Sequence, residues 1–148
     1  MSIKTAINEA LKQAMKDKDT IRLESLRLAK GALLLKEKAG AKDQELSDEE
    51  ATAVLRAEVR KRQDSIETYQ QLGKEDEVAK LRQEVAVLEA FLPSQLGADQ
   101  IEAKVRAYLA EHPEINHAGK LTGALKKELG DQADGKVLNE VCRKILGG

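Results

Sequence analysis

From Ile3 to Ile145 the apolar residues return at intervals of three or four and nowhere alternate long enough to make a strand. An α-helix repeats its faces every 3.6 residues and a strand every two, so this spacing confines the chain to an all-α fold. The pattern breaks most sharply within Leu88 to Leu96, which holds the only Phe and the first of the two prolines. Pro93 has no backbone N–H and pushes Leu92 out of the helical region, so the preceding helix ends here and its Phe91 plugs the core beside it. The reading is an N-terminal four-helix bundle domain over residues 1–93 followed by a small three-helix C-terminal domain over residues 94–148.

Ile3, Ile7, Leu11 and Met15 recur every four residues and predict a first amphipathic helix of about four turns. Asp19 or Thr20 caps a second helix with Leu23, Leu26 and Leu33 on its apolar face, and the two pack as an antiparallel hairpin. Gly40 to Glu45 reads as a loop. Ser47-Asp48-Glu49-Glu50 then has the form of a capping box, opening a third helix that carries Val54, Leu55, Val59, Ile66 and Tyr69 to a stop at Leu72-Gly73. A fourth runs from about Glu75 to Leu92 with Val78, Leu81, Val85, Leu88 and Phe91 inward. Beyond Pro93, Ile101, Val105 and Leu109 mark a fifth helix starting near Asp99 and ending before Pro113. Residues 113–119 read as a loop. Leu121, Leu125 and Leu129 mark a sixth helix stopped by Gly130, and Leu138, Val141, Cys142 and Ile145 mark a seventh capped by Asp134.

Composition narrows the function. Hydrophobic residues at 41% and charged residues at 34% suit a folded chain. Aromatic residues at 2% leave no stacking platform for bases, so any nucleic-acid contact is electrostatic. The formal net charge is −1, which does not by itself call for a polyanionic partner. One cysteine excludes an internal disulfide and multi-cysteine metal sites and suits a reducing compartment. With no apolar run of about 18 residues and no apolar signal core, the expectation is a cytoplasmic protein without a membrane span. No metal-ligand spacing, strained nucleophile elbow, phosphate-binding P-loop or dinucleotide fingerprint is present, so no catalytic residue, cofactor or metal ligand is assigned. Cys142 lies on an apolar stripe and reads as a structural thiol.

Two constellations concentrate positive charge. Arg56, Arg60, Lys61 and Arg62 lie within two turns of the third helix, forming either a solvated face paired with Glu58 and Asp64 or a basic patch. Asn116-His117-Ala118-Gly119-Lys120 leads into the sixth helix, followed by Gly123, Lys126 and Lys127. Free amides at that helix start, with Gly119 for close approach and Lys120 for charge, would make an anion site; Lys126, Lys127 and Lys136 are its weaker neighbours. Alternatively Gly119 and Gly123 serve close helix packing.

These residues also carry a resemblance. Ala14-Met15-Lys16 with Asp19, Arg22-Leu23 and Leu26-Arg27, then Lys61-Arg62-Gln63-Asp64-Ser65-Ile66-Glu67 with Tyr69 and Gly73, then Glu84, Leu88 and Leu92-Pro93 resemble the YqeY family. Gly119-Lys120 and Ala133-Asp134-Gly135 with Val137 and Val141 resemble its C-terminal half, which is similar to the tail domain of the B subunit of the aspartyl/glutamyl-tRNA amidotransferase. The chain departs from the family pattern at Lys74, Leu81 and Ala118. The resemblance implies a two-part helical protein whose small domain is of a type that contacts tRNA, and it implies no catalytic residue here. The expected partners are tRNA or a tRNA-handling enzyme. A protein-interaction adaptor and, by family association alone, a carbon–nitrogen ligase with glutamine as amido-N donor stand as alternatives.

Overall fold

The structure, a computed structural model, describes residues 2–40 and 45–147. Among these residues it contains seven α-helices, one short 3-10 turn and no strand, so the chain is all-α as its apolar spacing requires. The helices are α1 (Ile3–Asp17), α2 (Thr20–Ala39), α3 (Asp48–Gln71), α4 (Glu75–Glu89), α5 (Ala98–Glu111), α6 (Ala118–Leu129) and α7 (Gly135–Leu146), with the 3-10 turn at Gly130–Gln132. Residues 41–44 of the expected loop after α2 lie outside the described residues. The chain separates into two compact units, Met1–Leu92 and Pro93–Gly148.

In the first unit the helix starts are set by side chains that accept orphan amides. Ser2 caps α1, Asp19 rather than Thr20 caps α2, and Ser47 and Glu50 form the reciprocal capping box that opens α3. Lys4, at the start of α1, pairs with Glu37, near the end of α2, at 2.9 Å, which fixes the two helices as antiparallel. Ile7, Leu11, Ala14, Leu26, Ala29, Leu33, Leu55, Val59 and Leu88 form the core, with Phe91 and Leu92 packed against it. Met15, expected on the inner face of α1, is instead exposed, and Ala14 takes the inward position. A strict four-residue step advances 400° and drifts about 40° per step from a true helical face, so the fourth member of the series has rotated out. Ser25 is fully buried, and its hydroxyl donates to the Ile21 carbonyl at 2.8 Å.

The fourth helix closes at Glu89, three residues before the expected end. Phe91 and Leu92 donate to the carbonyls of Leu88 and Glu89 at 3.1 and 3.0 Å, a tightened last turn that keeps Phe91 against the core before Pro93. The second unit surrounds Ile101, Val105, Ile115, Leu121, Leu125, Leu138 and Cys142. Its entering strand of chain is tied to the loop after α6, with Leu96 donating to the Gln132 carbonyl at 2.7 Å and the Gln95 amide to that of Asp131 at 3.0 Å. Asp134 caps α7 through the Val137 amide at 3.1 Å, as its sequence position predicts.

Candidate nucleic-acid interface

The alternation of buried and open positions on α6 decides which of its cations face outward. Leu121 and Leu125 are buried, which turns Lys120, Gly123 and Lys127 to the opposite, exposed side. Their spacing of three and then four residues puts them along one stripe about two turns long. Gly123 stands between the two lysines, and apart from its chain neighbours and its own helix backbone no described atom lies within 4 Å of where a side chain would begin. The close-packing role considered for Gly123 therefore has no neighbour among the described residues.

The start of α6 is not open as expected. The imidazole of His117 folds over it, and its Nδ1 accepts from the amides of Gly119 at 3.1 Å and Lys120 at 3.4 Å. A ring nitrogen that accepts uses its lone pair, so this cap is made through Nδ1 and leaves Nε2 outside it. A Cβ on Gly119 would stand 3.0 Å from Cε1 and 3.2 Å from Nδ1 of that ring. Gly119 thus admits the capping imidazole of its own chain. An anion reaching these amides must first displace His117.

Lys126 is committed elsewhere. Its ammonium donates to the carbonyls of Gly130 at 2.9 Å and Ala133 at 2.5 Å, closing the C-terminal end of α6 around the 3-10 turn. Lys136 lies on the first turn of α7, away from the α6 stripe in sequence and on another element. Of the five positions expected around the helix start, Lys120 and Lys127 share a face, while Gly119 and Lys126 hold the ends of α6.

The second basic cluster divides in the same way. Arg62 is 8% exposed and turns inward between α3 and α4, where its guanidinium donates to the Glu58 carbonyl at 3.0 Å and pairs with Glu84 at 3.4 Å and the Glu58 carboxylate at 3.5 Å. Lys61 is exposed and pairs with Glu58 at 3.0 Å. Arg56 and Arg60 are half-buried on α3. The cluster is therefore in large part a structural clamp rather than a continuous surface patch. A cleft of about 390 Å³ at the α3–α4 turn brings Lys74 and Arg82 together with Glu75 over Val78, so its charge is mixed.

Among the described residues no group of three or more His, Cys, Asp or Glu is placed to hold a metal ion, and no helix is long and apolar enough to cross a membrane. His112 stacks on Tyr108 with ring centroids 4.3 Å apart. Sequence reasoning missed His117 as a cap because histidine is outside the usual capping set of Ser, Thr, Asp and Asn. It missed the role of Lys126 because that depends on the path of the 3-10 turn. Comparison with family models matches one described as Yqey-like protein over residues 4–146. Comparison with curated proteins gives no match.

Proposed function

Since the chain belongs to the Yqey-like protein family, we propose that it is a non-catalytic helical module that binds tRNA through the exposed face of α6. The observation that carries this reading is the Lys120–Gly123–Lys127 stripe. A glycine inside a helix costs about 1 kcal/mol relative to alanine, and among the described residues no other element makes contact at Gly123 to offset it. A bare backbone between two ammonium groups suits a phosphate backbone, which needs close approach and positive charge but no shaped pocket. The resemblance carried by Gly119-Lys120 and Ala133-Asp134-Gly135 to the tail domain of the amidotransferase B subunit is the reason for choosing tRNA. Scarce aromatic residues place the affinity in phosphate contacts rather than stacked bases.

The test is tRNA binding measured against salt. Log affinity falls linearly with log salt, and Lys120→Ala with Lys127→Ala flattens the slope by about one to two units, at roughly 0.9 per lost duplex-type contact. Lys126→Ala lowers stability through its lost carbonyl contacts and leaves the slope of the folded protein in place. Binding that ignores salt, or a lysine pair that leaves the slope unchanged, overturns the assignment. The isolated protein releases no ammonia from glutamine and hydrolyses no ATP; turnover abolished by a point substitution refutes the non-catalytic part.

A further inference from the structure

Helix α2 carries two apolar faces, and the fold uses one. Leu26, Ala29 and Leu33 are buried, while Leu28 and Leu35 stand 56% and 72% exposed on the opposite side. They are seven residues apart, two turns of one stripe. Between them lies Gly31, also exposed, and apart from its chain neighbours and its own helix backbone no described atom lies within 4 Å of a Cβ placed on it. Half-buried Ala32 and exposed Ala39 extend the small, apolar character of the strip. Exposed Glu24 and Lys38 lie at its two ends, neither among the ion pairs found in the described residues.

We propose that this face of α2 is the contact surface of a homodimer, in which two copies of the helix cross antiparallel at Gly31. The charge pattern selects a second copy over another partner because the strip is complementary to itself when reversed. Leu28 and Leu35 are disposed symmetrically about the Gly31–Ala32 step, and Glu24 and Lys38 symmetrically about Gly31. A two-fold axis there sets Leu28 of each copy beside Leu35 of the other, and Glu24 of each beside Lys38 of the other. One surface thereby supplies both sides of an isologous contact, two apolar pairs and two ion pairs. Glycine at the crossing lets the two backbones approach, as small residues do wherever helices meet closely.

Sedimentation equilibrium of the full chain tests this. The wild type shows a mass that rises with concentration to twice that of the chain. Glu24→Lys and Lys38→Glu each set like charges against each other across the axis and weaken the dimer by roughly tenfold at low salt, with helix content by circular dichroism unchanged. Mixing the two variants in equal amounts restores association, because one copy then offers lysines at both positions and the other glutamates. Leu28→Glu abolishes association in either background. A wild type that stays monomeric throughout, a dimer indifferent to the single charge reversals, or a mixture that fails to associate overturns the proposal.

Discussion

Cys142 is fully buried in the core of the second unit. Burial pushes its thiol pKa up, and a hydrogen bond with Thr122 pulls more weakly the other way. A group whose folded pKa lies above its unfolded value contributes its full stability below the unfolded value, about 8.5 for a thiol, and loses it as pH rises towards the folded one. Melting of the wild type should therefore fall faster above about pH 8.5 than that of Cys142→Ala, with the two curves parallel at lower pH. Equal alkaline slopes would show that the thiol stays protonated in neither state or in both. His117 supplies a second case. Gly119→Ala sets a methyl 3.0 Å from the imidazole, so the ring must shift by a few tenths of an ångström and its cap, of a class worth about 0.5–2 kcal/mol, weakens in urea denaturation, whereas His117→Asn, which substitutes a favoured capping residue, retains most of it. The caps at Ser47 and Asp134 were legible because those residue types stand where an apolar periodicity begins. His117 was not, since its role depends on a ring folding back over a glycine.

The existence and order of the helices followed from periodicity, because each apolar face has one spacing to obey. Their inner surfaces were less legible wherever a helix has more apolar residues than its neighbours can cover. On α1 the drift of a four-residue step exchanged Met15 for Ala14, and on α2 two leucine faces are indistinguishable by composition. Charged residues inside elements were hidden for another reason. Arg62 looks like its neighbours Arg60 and Lys61 in sequence, and only the packing of α3 on α4 places it against Glu58 and Glu84. Removing Arg62 leaves the mostly buried Glu84 without its cation while Glu58 keeps Lys61, and breaking a buried pair in this way costs up to about 3–5 kcal/mol. Arg62→Ala should lose about that much in urea denaturation. Arg62→Met with Glu84→Leu, which removes both a cation and a carboxylate and keeps the volume apolar, should recover much of it. A loss below about 1 kcal/mol in the single variant would mean that Glu58 and Glu84 are solvated without their arginine.

Across the whole molecule, each compact unit closes a core with its own side chains: Leu26, Leu33, Leu55 and Leu88 in the first, Ile101, Leu121, Leu125 and Leu138 in the second. The second is the smaller, and a core of that size stabilises its unit by only a few kcal/mol. A single buried Leu→Ala change costs about 2–5 kcal/mol, enough to remove most of that margin. Leu121→Ala should therefore unfold the C-terminal unit while the N-terminal one survives, seen by hydrogen exchange as protection lost over residues 98–146 and kept over residues 3–89. The same variant separates the two surfaces assigned above. The α6 stripe belongs to the unit that unfolds, and the α2 strip belongs to the unit that remains. Binding of tRNA should then disappear, and the concentration-dependent doubling of mass should persist. Loss of both together would mean that the units are stable only as one body. Retention of tRNA binding after residues 98–146 lose protection would move the contact surface to the first unit, where Arg56, Arg60 and Lys61 on α3 would be the cations to change next.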